Sequence, residues 1–174
     1  SQVERNSGVL VAGGGMSGLA AALSAAEGGA DVTVLEKGSL VGGAARLSGG
    51  VIFTFPTLEL LRRNVPEGDE DLQRMLAAEF PDSLAWLKNH GLPLEPPQQL
   101  VGEGWGSVME IGAPGRRGRF MEILCARAEA LGVRVLPNRA LLSLEPSPSG
   151  SLVVRVESAE GIENWEARSL ILAT

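Results

Sequence analysis

The chain has 174 residues, 44% of them apolar, and a formal net charge of −6. That length suits one soluble α/β domain with a real core, and no apolar run is long enough for a transmembrane segment. The negative charge argues against nucleic acid as a partner, because a phosphate backbone would be repelled.

One cysteine, Cys125, and one histidine, His90, leave no zinc constellation and no internal disulfide. The lone thiol fits a reducing compartment. Residues 1–6 are polar and lack the basic-then-apolar pattern of a signal peptide. A cytoplasmic location is the expectation these features are compatible with.

Residues 9–12 read as a buried strand, followed by Gly13, Gly14, Gly15, Met16, Ser17 and Gly18. A helix over 16–27 comes next, with Leu19, Leu23 and Ala26 on one face and Gly28 and Gly29 as its stop. A second strand over 31–35 leads to Glu36 and Lys37. Strand, glycine turn, helix, strand and acid form the arrangement that holds a dinucleotide. Gly13 permits the tight turn, Gly15 lets backbone approach a pyrophosphate, and Gly18 lets the helix pack close to the sheet. The helix start aims free N–H groups and its positive dipole end at the phosphates. Glu36, roughly 20 residues on, can accept hydrogen bonds from a ribose diol and would repel a 2′-phosphate. The bland alternative is a glycine-rich turn with no ligand.

Residues 38–50 bear on which dinucleotide. Gly42 and Gly43, then Ala44, and later Ser48, Gly49 and Gly50 form a stretch with almost no helix-forming content. An NAD unit would pass quickly into a second crossover helix. Glycine pairs suit backbone running against a flat ligand, and the ribityl chain and isoalloxazine of FAD are the natural candidate. A mobile loop is the alternative.

Residues 51–119 read as an excursion from the nucleotide domain. Helices are expected over 71–80 and 83–89, broken or kinked by Pro81 and ended by Gly91. The acidic run 67–71 reads as a helix start, and the prolines from Pro93 to Pro114 make a loop-rich stretch. His90 at a helix end reads as structural and partly exposed. Arg116, Arg117 and Arg119 form the densest basic cluster, either a solvated loop or an anion contact.

Regular structure then returns. A helix is expected over 120–131, with Phe120, Leu124, Ala128 and Leu131 on one face and Cys125 packed as a small hydrophobe. A short strand over 133–136 follows. Segments 141–144, 152–157 and 162–168 read as an antiparallel meander. Residues 169–173 form a separate apolar strand suited to a covered parallel sheet.

These parts resemble, in order, the FAD-binding N-terminus of the fumarate reductase and succinate dehydrogenase flavoprotein family, which includes ketosteroid and tricarballylate dehydrogenase-like proteins. The matching residues are Gly13, Gly15 and Gly18, Glu36 and Lys37, Gly42 and Gly43, and Ser48 to Gly50. Downstream matches are Trp86, Leu87 and Gly91, then Gly132 to Val135 with Arg139 and Ala140, and the final 170–174 run ending Ala173 and Thr174. The resemblance implies a Rossmann-like FAD-binding domain from 1–50 and 120–174, with a parallel sheet, a small antiparallel meander and an inserted helical and loop segment over 51–119 on the substrate side. It implies cofactor contacts from Gly13 to Gly18, Glu36, Lys37, Gly42 to Ala44, Ser48 to Gly50, Ala140, Ala173 and Thr174.

Members often carry an amide or hydroxyl after the first glycine pair, where this chain has Ala44 and Ala45. Succinate dehydrogenase-type members carry a histidine before the second pair; residues 42–50 contain none, so FAD is expected to be non-covalent. The resemblance also implies that catalytic groups lie beyond Thr174, so the chain is expected to be part of a flavin-dependent oxidoreductase cut before its capping domain and inactive alone. A small-molecule substrate, and an electron partner of unknown kind, would belong to the full-length protein. A non-catalytic fragment that folds, with or without FAD, is the second reading.

Overall fold

The computed structural model describes residues 3–110 and 119–174. In chain order the elements are β1 (Val3–Ala12), α1 (Met16–Glu27), β2 (Val32–Leu35), a 3-10 turn (Gly43–Leu47), β3 (Val51–Thr54), α2 (Leu58–Asn64), α3 (Glu70–Asn89), β4 (Gln98–Gln99), β5 (Trp105–Val108), α4 (Phe120–Ala130), β6 (Arg134–Leu136), β7 (Arg139–Pro146), β8 (Leu152–Ser158) and β9 (Gly161–Leu172). They divide into two units, Ser1–Leu47 with Met121–Thr174, and Ser48–Phe120.

The first unit is built on a six-stranded sheet in the order β6-β2-β1-β9-β8-β7. β6, β2, β1 and β9 run parallel, and β8 pairs antiparallel with both β9 and β7. Leu10 and Val11 are fully buried and every residue of β2 is buried. Cover on both faces is what unbroken apolar parallel strands require. α1 buries Gly18, Leu19, Ala22 and Leu23, while Ala26, expected on that face, is only half-buried. In α4, Met121, Leu124 and Ala128 are buried and Leu131, just past its end, is exposed.

The expected break between meander and final strand is absent. β9 is one strand, pairing antiparallel with β8 from Gly161 to Ala167 and parallel with β1 from Glu163 to Leu172. The run 161–172 holds no proline and no internal glycine to interrupt the ladder. The shift from alternating burial (Glu163, Trp165, Ala167) to a continuous apolar run marks the loss of β8 while the pairing with β1 continues, not an end. Trp165 and Ala167 pack with Val154 and Val156 of β8 and with Leu10 and Leu35 in one cluster.

The second unit differs more from expectation. α3 continues through Pro81, which lacks an N–H and crowds the preceding turn. Buried Gln73 and Phe80 before it, and Leu84 and Leu87 after it, hold both halves against the unit's interior and offset that cost. Asp69 caps the helix, its side chain accepting from Leu72 N at 3.0 Å, so the acidic run is a helix start. A three-stranded antiparallel sheet, β3-β5-β4, was not expected at all. Its strands are two to four residues long, and Gly106 sits where a Cβ would lie 2.1 Å from Ile52 O. Such short, glycine-containing strands leave no alternating pattern to read.

Candidate functional site

The site is a cleft of about 470 Å³ at the carboxyl ends of β1, β2 and β9, within the first unit. Ala12 and Gly13 end β1, Gly15 and Ser17 open α1, and Leu35, Glu36 and Lys37 end β2. Gly43 and Ala44 come from the 3-10 turn, Arg139, Ala140 and Leu141 from β7, and Ala173 and Thr174 follow β9. Its size falls in the usual range for small-molecule sites.

Each glycine of the turn has a separate cause. Gly13 has φ +107°, and a Cβ there would lie 2.4 Å from Ala173 O. Gly18 would place a Cβ 1.8 Å from Gly13 O, so helix and turn meet backbone to backbone. Gly15 is the contrast: nothing lies within 4 Å of its Cβ position. Its lack of a side chain answers to no protein neighbour and leaves a cradle open on the cleft. Gly15 also caps α1, whose first turn carries no acidic residue. The N–H groups of that turn have no intrahelical acceptor, and the positive dipole end is not neutralised locally. A cradle with those donors fits a pyrophosphate.

Glu36 is 9% exposed, and both of its oxygens are engaged. Oε2 accepts from Gly14 N at 2.8 Å and Oε1 from Gly38 N at 2.7 Å. Each carboxylate oxygen has a second acceptor position, so a ribose diol can still be received. Further bonds tie the walls together: Gly13 N donates to Leu35 O, Gly42 N to Gly14 O, and Arg139 N to Glu36 O. The turn, the end of β2, the 3-10 turn and the start of β7 therefore form one backbone-bonded rim.

Ten of the expected residues line this cleft: Gly13, Gly15, Ser17, Glu36, Lys37, Gly43, Ala44, Ala140, Ala173 and Thr174. Gly14, Gly18 and Gly42 instead shape it from behind, and Met16 is the first helical residue without lining it. The stretch between the glycine pairs, expected to lack helix, forms a 3-10 turn, with φ +50° at Gly43 as it opens. Ser48, Gly49 and Gly50 belong to the second unit, where Gly50 O accepts from Met109 N at 2.9 Å. Sequence reading missed Ala12, Leu35, Arg139 and Leu141 as lining residues. Three are strand residues beside recognised positions, and Arg139 is a cation whose placement no spacing reveals.

The remaining candidates lie elsewhere. His90 caps α3, stacked on Trp86 at 3.8 Å between ring centroids, with Nδ1 2.7 Å from Trp86 O. It is buried, not partly exposed. Burial raises the Cys125 thiol to about 11, with Glu129 adding to the shift. Arg116 and Arg117 lie outside the described residues; Arg119 is exposed. Among the described residues no helix is long and apolar enough to cross a membrane.

Residues 8–174 match the family described as FAD binding domain. Relatives include vinyl phenol reductase of Lactiplantibacillus plantarum, 27% identical over 95% of this chain and 37% of the relative. Urocanate reductase of Eggerthella lenta is 30% identical over 95% of this chain and 31% of the relative. The chain thus spans about a third of these relatives' length. Among solved structures, a flavocytochrome c3 fumarate reductase superposes with TM-score 0.81 at 21% identity, covering 97% of this chain and 33% of that one. A 3-ketosteroid dehydrogenase from Rhodococcus jostii superposes at 0.79 with 22% identity, covering 99% and 46%. The parallel sheet with its antiparallel meander is the fold they share.

Proposed function

The chain belongs to the FAD-binding domain family, the flavin-holding part of fumarate reductase-type flavoproteins, and on that premise we propose that its cleft holds FAD non-covalently for an oxidoreductase. The observation that carries this reading is the open cradle at Gly15, facing an α1 N-terminus with no acid in its first turn. In this reading the pyrophosphate takes the N–H groups of Gly15, Met16 and Ser17. Glu36 receives the ribose diol, and the backbone of Gly43 and Ala44 runs beside the ribityl chain. Ala140, Ala173 and Thr174 close the remaining wall, and Lys37 supplies a cation at the rim. Ser48 to Gly50 remain proposed contacts on the flavin side.

FAD supplies hydride exchange at its N5; this chain's part is to bind and orient it. Residues 51–119 are proposed as the substrate-side segment, and the substrate of the whole protein as a small molecule, in keeping with the reductases named above. We propose a cytoplasmic location, with which the lone Cys125 is compatible. The one acidic side chain lining the cleft, Glu36, already accepts from two backbone N–H groups and is assigned to the ribose, so we assign the chain by itself cofactor binding without turnover.

The experiment is a titration of the purified chain with FAD, followed by flavin absorbance and fluorescence. Saturable binding is expected, with all flavin released into the supernatant by acid precipitation. No binding, or flavin fluorescence that stays with the denatured protein on a gel, overturns the assignment.

A further inference from the structure

Glu163 is a buried carboxylate of the first unit met by three side chains. It is 2% exposed, on a strand in the middle of the sheet. Its Oε2 accepts from Trp165 Nε1 at 3.0 Å and lies 3.3 Å from Arg5 Nε. Arg139 approaches from β7: Nε donates to Oε2 at 3.4 Å, and Nη2 lies 3.3 Å from Oε1. One carboxylate thus serves two guanidinium groups, and the cluster carries one surplus positive charge.

Of these residues only Arg139 lines the cleft. Its Nη1 also donates to Pro137 O at 3.0 Å. Nε and Nη1 therefore donate at the edge of the group, to Glu163 and to Pro137, while Nη2 is ion-paired with Glu163 Oε1 without a hydrogen bond. Edgewise contacts leave the flat face of the group, on a side chain that is still 20% exposed. Its backbone N–H bonds to Glu36 O at 2.9 Å, which places Arg139 beside the acid rather than beside the pyrophosphate cradle at Gly15.

We propose that Arg139 is a purine-binding residue, offering its guanidinium face to the adenine ring, with buried Glu163 as the positioning residue that holds the group edge-on. A fixed, planar, weakly hydrated cation is suited to stacking on an aromatic ring. Two chain segments distant in sequence, the starts of β7 and β9, are both needed to build it. The proposal rests on the reading that the cleft holds FAD.

The test compares the parent chain with Arg139→Lys, Arg139→Ala and Arg5→Ala, measuring the dissociation constants of FAD and ADP by fluorescence titration and competition. Lysine keeps the ion pair with Glu163 but has no flat face. Both Arg139 variants are expected to weaken FAD and ADP in parallel, by about three- to thirtyfold. Arg5→Ala disturbs the same carboxylate away from the cleft and is expected to leave both constants within about twofold, a change too small to count as a lost contact. Parental affinity in Arg139→Lys would overturn the stacking assignment, and an equal loss in Arg5→Ala would reduce the cluster to a structural brace. Failure of the parent to bind FAD while binding ADP would overturn the FAD reading but leave the purine site standing; failure to bind either would remove both.

Discussion

The Glu36 carboxylate holds the Gly14 N–H at 2.8 Å across the base of the glycine turn. The acid at the end of β2 is thus a brace for the turn before it is a ligand for anything. A brace and a ligand predict different things. Glu36→Ala is expected to weaken FAD binding by about 1–3 kcal/mol, the range for hydrogen bonds to charged groups. It is also expected to lower the melting temperature, because Gly14 N and Gly38 N lose their acceptor. A calorimetric scan of the unliganded variant that matches the parent would remove the brace.

Gly15 and Gly18 separate binding from folding. Gly15 has ordinary φ of −76° and an empty Cβ position. Gly15→Asp is expected to leave stability within about 0.5 kcal/mol, as for an exposed substitution, while abolishing FAD binding through bulk and like charge. Gly18→Ala meets Gly13 O and is expected to cost at least about 1–3 kcal/mol. Denaturant unfolding of both variants, beside FAD titration, checks the contrast.

Stability should depend on pH through Glu163. Burial alone would raise its carboxyl, but the Trp165 hydrogen bond and the charges of Arg139 and Arg5 together hold it below the ordinary carboxylate value. A depressed folded value means the stabilisation is fully present above the unfolded value of about 4.3 and is lost as pH falls through the folded value. Glu163→Gln is expected to flatten the acid limb of the stability curve. At neutral pH it should cost up to about 3 kcal/mol, the low end for a broken buried pair, since Arg5 is 36% exposed. Urea unfolding between pH 3 and 7 measures both; an unchanged acid limb would contradict the assignment.

Cys125 is expected to stay inert. With its thiol at about 11, raised first by burial and then by Glu129, the thiolate at pH 8 is about one part in a thousand. Reaction with a disulfide reagent should be slower than in the urea-unfolded chain by at least about tenfold. Equal rates would mean the side chain is open to solvent and its thiol unperturbed.

Turnover by the isolated chain is expected to stay at the free-flavin background in an anaerobic assay with reduced viologen and a panel of dicarboxylates. Catalysis needs substrate at near-attack distance and a positioned acid or base. Activity above background that is lost on changing Arg116, Arg117 or Arg119 to Ala would locate an active site within the chain.

Local pattern and spacing settled the nucleotide half of this protein. The end of β1 at 9–12, three glycines at fixed offsets, a helix over Met16–Glu27 and an acid after β2 were all legible, because spacing and periodicity along the chain mark them, even where, as at Gly13, the contact that requires the glycine is the distant Ala173 O. Where the partner comes from far away, spacing and periodicity were silent, and Ala140, Ala173 and Thr174 were reached through the family resemblance alone. That β9 is a single strand shared by meander and parallel sheet depends on β1 and β8 lying on either side of it. The passage of α3 through Pro81 depends on buried residues on both sides of the proline. The short β3-β5-β4 sheet has no pattern of its own and exists through pairing alone. Arg139 is one arginine among many until Glu163, 24 residues on, turns it into a fixed part of the wall. Backbone conformation is written locally, through φ, capping and periodicity; the direction of a long charged side chain is set by whichever distant group pairs with it, and only the folded chain brings that group near.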